Sequence, residues 1–186
     1  MDNGASSYRR FRDTGDDSAL IEIIRDYKDG LILYLLSVVG DIQTAEELAE
    51  DTFVLLGTKK PRDKGGSSFK TWLYTIGRNI AIDHLRRQKR RRNCEVPLDE
   101  TVSMIDTELE KSFIREERKI ILHTAMNKLK PEYRQVLWLV YFEGMSNKET
   151  SAVMKKSVHN IETLVSRARK CLRKQLETEG FDYEDL

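Results

Sequence analysis

The sequence predicts an all-α fold of two small helical domains joined by an acidic linker, the second domain a helix-turn-helix. Three observations carry this. Apolar residues recur every three or four positions through most of the chain, which is the spacing of a buried helical face. That period lapses between Asn93 and Asp106, where Pro97 falls among the acids Glu95, Asp99, Glu100 and Asp106. Beyond the lapse, two helical stretches are separated by a tight turn, and the second is rich in polar and basic residues. The corresponding boundaries are residues 1–92, 93–112 and 113–176, followed by an acidic tail over 177–186.

A chain of 186 residues accommodates one domain or two small ones. Charged residues make up 34% of it and the mean hydropathy is −0.56, with no apolar run near the roughly eighteen residues of a membrane span. The opening residues lack the apolar core of a signal peptide, so the expected location is the cytoplasm, with no membrane partner. Cys94 and Cys171 form no CxxC pair, and His84, His123 and His159 are scattered without ligand spacing. No metal or other cofactor is expected. Nothing in the sequence pairs a nucleophile with a base or builds a phosphate loop, so no enzyme is expected either.

The formal charge of +1 conceals segregation. Residues 1–58 carry a net −7, residues 59–92 a net +10, residues 93–118 a net −5 and residues 119–186 a net +3. Within the last block, Ser146 to Leu176 alone carries +6. A polyanion meets the local field rather than the sum, and two basic elements divided by an acidic stretch predict two nucleic-acid contacts.

Taken in order, Asp16-Asp17-Ser18 caps a helix whose apolar positions run from Leu20 to Val39, with Gly30 a place where it could break. A second helix is expected from Thr44-Ala45-Glu46-Glu47, a capping-box pattern, to about Leu56. Ala45, Leu48, Ala49, Thr52, Phe53 and Leu56 form its inward side. Glu46 with Glu50, and Glu47 with Asp51, are like-charged pairs at i,i+4, mildly unfavourable unless a basic partner covers them. Dipole stabilisation explains acids in the first turn, but explains Glu50 and Asp51 less well.

Lys59 to Ser68 is a loop by its Pro, paired Gly and paired Ser. A long helix then spans Phe69 to Arg92, with Phe69, Leu73, Ile76, Ile80 and Leu85 on its core side. Lys70, Arg78, Arg86, Arg87, Lys89, Arg90, Arg91 and Arg92 occupy its other face and end, with Trp72 and Tyr74 near its start. Such a helix can neutralise phosphates and offer rings on which bases stack; a solvated charged face with core aromatics is the plainer alternative.

In the second half, a helix is expected from Glu108 to Lys128, and Pro131 opens another. Gly144-Met145-Ser146 breaks it, Ser146 and Glu149 form a capping box, and a short helix runs to Met154. Lys155-Lys156-Ser157 turns into a helix from Val158 to about Leu176. Helical spacing places Ser157, His159, Asn160, Glu162, Thr163, Ser166 and Arg167 outward, and Ile161, Leu164, Val165, Ala168 and Leu172 inward. Asn160 could read adenine, Glu162 could accept from cytosine, and Arg167 could meet guanine or phosphate.

The run Thr71-Trp72-Leu73-Tyr74-x-Ile76-Gly77-Arg78-Asn79-x-Ala81-x-Asp83-x-Leu85-Arg86-Arg87 resembles the promoter-melting segment of extracytoplasmic-function (ECF) sigma factors of the sigma-70 family. Leu129-x-Pro131-x-x-Arg134-x-Val136-Leu137-x-Leu139 is similar to the opening of that family's second DNA-binding domain. The resemblance implies a protein that binds core RNA polymerase and directs promoter recognition, DNA melting and transcription initiation. It implies minus-10 contacts at Lys64, Ser67, Ser68, Trp72, Arg78, Asn79, Arg86 and Arg87, the loop forming a pocket for a flipped base. It implies minus-35 contacts along the helix from Val158. Docking on the coiled coil of the largest polymerase subunit falls to Glu46, Glu47, Glu50, Asp51 and Phe53, with the polymerase flap and an anti-sigma protein as further partners.

Several positions depart from the family pattern. Gly77 stands where Ala is usual, a change worth about 1 kcal/mol in a helix interior. Thr150 and Lys156 replace apolar residues, Lys155 replaces Gly at the turn, and Glu162 replaces a basic residue. Without Gly, the turn at Lys155 is expected either to adopt a positive φ at some cost or to take another path. Two rival readings predict different behaviour: a stand-alone helix-turn-helix regulator would bind duplex tightly by itself, and a single-strand-binding module would show no duplex preference.

Overall fold

The computed structural model describes residues 3–62, 65–92 and 121–178, and every regular element among them is helical. The first unit holds α1 (Asn3–Thr14), α2 (Asp17–Val39), α3 (Ile42–Lys59) and α4 (Phe69–Arg92). The second holds helical residues 121–127 (α5), α6 (Pro131–Leu137), a π-helical turn (Trp138–Phe142), α7 (Asn147–Met154) and α8 (Val158–Thr178). The linker from residue 93, most of the expected helix from Glu108 and the tail with Phe181 and Tyr183 lie outside the described residues.

Helix α1 replaces the polar start expected from the sequence. Its anchors are Tyr8 and Phe11, one turn apart and both buried, and it ends at Gly15, whose φ of +74° suits a left-handed cap. Asp16 caps α2 as expected, accepting from the Ser18 N–H at 3.0 Å. Helix α2 runs unbroken through Gly30. A Cβ there would meet the Tyr74 hydroxyl at 2.6 Å and a Glu143 carboxylate oxygen at 2.9 Å, so the glycine serves close approach rather than a break.

Helix α3 starts two residues before the expected Thr44, because Asp41 rather than Thr44 is the cap, accepting from the Thr44 N–H at 2.7 Å. Its inward side is the expected one, from Ala45 to Leu56. In α4, Phe69 and Leu73 are fully buried against α1 and α2, each worth about 2 kcal/mol relative to exposure. Gly77 also has a packing role: a Cβ would sit 3.0 Å from Leu31 Cδ1 and 3.4 Å from the Thr52 hydroxyl.

Pro131 opens α6, and the helix then widens at Trp138, where the Glu143 N–H reaches the Trp138 carbonyl at 3.1 Å. This π turn was not expected. It brings the Trp138 and Phe142 rings into a parallel stack 4.3 Å apart and aims the indole N–H at Glu143 Oε1, at 3.2 Å. The Ser146–Glu149 capping box is present in both directions, and of the two courses open to the turn at Lys155 it takes the positive φ, +54°. The two units pack on each other: α6 and the π turn lie against α2, and α7 lies against α4.

Candidate nucleic-acid interface

Three surfaces carry the predicted residues. The first is α4 with the loop before it. Ser68 caps α4, its hydroxyl accepting from the Thr71 N–H at 3.3 Å. The loop is held from behind by Tyr8, whose hydroxyl donates to the Pro61 carbonyl at 2.7 Å. The Tyr8 ring lies 5.1 Å from Trp72 and 5.5 Å from Phe69. Trp72 is therefore a half-buried member of an aromatic cluster that fixes the loop's base, with only part of its surface open to a ligand.

Tyr74, grouped with Trp72 as a stacking ring, is instead buried beside Tyr34, at 5.4 Å. Burial pushes its phenol up, and the Glu143 carboxylate adds to that shift. Ser67 is exposed and Ser68 half-buried, whereas Lys64 lies outside the described residues. Arg78 and Asn79 are half-buried midway along the helix. Arg78 Nε is buried without a hydrogen bond near the likewise unbonded Tyr34 hydroxyl; burial pushes that phenol up and the guanidinium opposes the shift. Arg86 and Arg87 are exposed, with Lys89, Arg90 and Arg91 beyond them. The Arg86 contact to Asp83, at 3.4 Å and exposed on both sides, is too weak to withhold Arg86 from a phosphate.

The second surface is α8. Ser157, His159, Asn160, Glu162, Ser166 and Arg167 are exposed and Thr163 is half-buried. Ile161 and Ala168 are fully buried, and Leu164, Val165 and Leu172 pack against the core. Ser157 caps the helix, its hydroxyl accepting from the Asn160 N–H at 3.2 Å. Lys156, at a usually apolar position, instead reaches Glu132 Oε1 on α6 at 3.2 Å and ties the turn to the domain. Thr150 is fully buried, and its hydroxyl has no partner.

The third surface is the outer face of α3, where Glu46, Glu47, Glu50 and Asp51 are all exposed. Phe53 is a correction: at 6% exposure it belongs to the core and supports the ridge from beneath. Val54, by contrast, is 59% exposed, one turn beyond Glu50 and Asp51 on the same face. The sequence signal was available, since an apolar residue at the outward helical position is out of phase with the buried stripe. Among the described residues, no cluster of His, Cys, Asp or Glu could hold a metal, and no helix is long and apolar enough to cross a membrane.

Two family models match the chain in the order of these surfaces: Sigma-70 region 2 over residues 23–91, and Sigma-70, region 4 over residues 119–172. This chain belongs to the extracytoplasmic-function sigma factors of the sigma-70 family. It is 28% identical over 176 residues to the RNA polymerase sigma-H factor of Pseudomonas aeruginosa, covering 88% of this chain and 89% of that protein. It is likewise 28% identical over 170 residues to the ECF RNA polymerase sigma factor SigW of Bacillus subtilis, covering 87% and 91%. In fold, it is similar to the sigma factor RpoE of Bartonella quintana, solved with the anti-sigma factor NepR, at a TM-score of 0.68 and 24% identity over 84% of this chain and 95% of that one. A stand-alone regulator would not require the region 2 match. The sigma reading requires both regions and is the function of this chain.

Proposed function

We propose that this sigma factor divides its work among the three surfaces as follows. Helix α8 enters the major groove at the minus-35 element, with Ser157, His159, Asn160, Glu162, Thr163, Ser166 and Arg167 facing the DNA. Helix α4 lies along the minus-10 element, where Arg86 and Arg87 hold the backbone and Arg78 and Asn79 lie towards the melted strand. The loop through Ser67 and Ser68 receives the unpaired base, and the Tyr8–Phe69–Trp72 cluster keeps that loop rigid. The chain makes and breaks no covalent bonds; the polymerase supplies the chemistry.

The α3 ridge of Glu47, Glu50 and Asp51, with Val54, docks on a basic, partly apolar surface of core polymerase. A groove of about 280 Å3 lined by Leu122, Met126, Leu137, Phe142, Leu172 and Leu176 is the candidate for the flap contact. An anti-sigma protein would act by covering these same surfaces. Residues 1–92 and 113–176 are the two working domains, the segment between them is the tether, and the site of action is the cytoplasm.

The observation that carries this reading is the match of burial to role along α8: each residue assigned to the DNA is exposed or half-buried, while Ile161 and Ala168 are buried and Leu164, Val165 and Leu172 pack against the core. The test is co-purification with bacterial core RNA polymerase, then transcription from a fragment library with and without the protein. Core binding and selection of a discrete promoter set are expected. Indifference to polymerase, with retention of particular duplexes by the chain alone, would overturn the reading.

A further inference from the structure

We propose that Lys155, in the turn between α7 and α8, is a phosphate contact of the minus-35 interface, held in a backbone conformation that would be more stable with glycine. The proposal rests on the assignment of α8 to the minus-35 element given above. Lys155 stands just beyond α7 with φ +54° and ψ +46°, the left-handed region in which a Cβ crowds the following carbonyl and which glycine enters freely. The backbone is committed to this path. The Lys155 N–H returns to the Ser151 carbonyl, and the Lys156 N–H reaches the same carbonyl at 3.1 Å. Relaxing φ would break both bonds and re-aim α8.

Among the described residues only one other non-glycine residue has a positive φ, Lys60 after α3, at +43°. The two lysines differ in what their side chains do. Lys60 lays its ammonium over the Phe11 ring, 4.5 Å from the centroid, and so ties the end of α3 to α1. That contact offsets the strain within the fold. Lys155 is exposed, and among the described residues no carboxylate, carbonyl or ring takes up its ammonium. Its neighbour Lys156 is the lysine that is held, by Glu132 at 3.2 Å. Strain with no compensating contact inside the chain leaves that contact to be made outside it.

The wall of the DNA groove is what lies outside. Lys155 precedes Ser157 by two residues, at most about 7 Å of backbone, and Ser157, His159 and Asn160 are exposed residues that α8 turns to the DNA. The major groove is about 12 Å wide and a helix with its side chains about 10–12 Å across, so the turn leading into a groove-bound helix passes close to one strand of phosphates. Lys148, also exposed, lies two turns before Lys155 on the same side of α7, which thus carries a lysine at each end. A point charge on a flexible four-carbon stem suits a phosphate without demanding a fixed geometry. A cation also suits the negative end of the α7 dipole, and the two accounts predict opposite results.

Urea unfolding of the full chain and salt titration of promoter complexes, taken together, test this. Lys155→Gly removes both the Cβ and the charge. The urea midpoint should rise, because the left-handed turn is no longer strained. Holoenzyme carrying the same variant, on a promoter duplex recovered by the fragment selection and kept cold so that its strands stay paired, should bind about five- to tenfold more weakly at about 0.1 M salt. The slope of log affinity against log salt should fall by about 0.9. A gain of stability joined to that loss of slope is a combination that a merely structural residue does not give. Lys155→Ala keeps the Cβ and should lose the same slope without the rise in midpoint, whereas Lys155→Arg should keep the slope. A midpoint that rises with the slope unchanged would show that the lysine meets no phosphate. A midpoint that falls with the slope unchanged would assign it to the α7 dipole, and either result overturns the proposal. Arg167→Ala separates this from failure of the premise: if it weakens binding while Lys155→Gly does not, Lys155 alone is struck, and if neither variant changes binding, the placing of α8 on the minus-35 element falls with it.

Discussion

The Glu143 carboxylate and the Lys70 ammonium, 73 residues apart in sequence, meet at 2.6 Å across the boundary between the two units. Removing one partner of an enclosed pair leaves the other charge unpaired, which in full burial costs about 3–5 kcal/mol. Here the Lys70 side chain is 32% exposed, and opening of the units would return Glu143 to water. Lys70→Met should therefore lower the stability of the full chain by about 2 kcal/mol in urea unfolding. An unchanged midpoint would show that the pair contributes nothing net.

Thr150 is the opposite case, a polar group that gains nothing from burial. Its hydroxyl is fully enclosed and has no partner, although a valine of similar shape would leave nothing unsatisfied. Thr150→Val should stabilise the chain by about 1 kcal/mol, read as a higher urea midpoint with the slope unchanged. A loss of stability would mean that the hydroxyl is partnered in solution.

These two residues show what could and could not be read from the chain. Helix α4 and the capping box at Ser146 were legible, because each depends on residues within one or two turns, whereas the sequence left the path of the turn at Lys155 open between two courses. Gly30 was misread for the converse reason. A glycine's cost to a helix is local, whereas its use here, admitting Tyr74 and Glu143, comes from 44 and 113 positions away. Helix α1 was missed because only Tyr8 and Phe11 mark its buried side, too few to establish a period. The outward residues of α8 were found by periodicity alone, whereas Phe53 was misplaced because the resemblance was allowed to outweigh the same periodicity in α3.

Glu149 gives the structure a pH dependence. The Ser146 N–H and then its hydroxyl hold the Glu149 carboxyl below its ordinary value of 4.5, with Ser68 and Thr71 adding to the shift and burial opposing it. Because the folded value is depressed, the unfolded chain binds more protons in acid. The contribution is complete above about pH 5 and is lost as pH falls through the folded value. Glu149→Gln should flatten the fall of the urea midpoint between about pH 5 and pH 3. An identical pH profile in wild type and variant would remove Glu149 from the acid response.

The exposed α3 ridge makes a separate prediction. Glu47→Lys with Asp51→Lys reverses two charges on a face that makes no contribution to the core, so the fold should be unaffected. Affinity for core polymerase should fall about tenfold or more, since like charges brought together at an interface cost several kcal/mol. Full retention of affinity would move the docking site elsewhere.

Arg86 and Arg87 test the minus-10 surface through salt rather than affinity alone. Both are exposed at the basic end of α4, and each phosphate contact contributes about −0.9 to the slope of log affinity against log salt on duplex DNA. Arg86→Ala with Arg87→Ala should therefore weaken polymerase-bound promoter complexes and reduce that slope by about 1.8 if both arginines contact phosphate. A reduction near 0.9 would assign one of them to a base edge or to solvent. Weaker binding with the slope intact would mean that neither side chain meets the backbone, and that the variant acts by loosening the end of α4 instead.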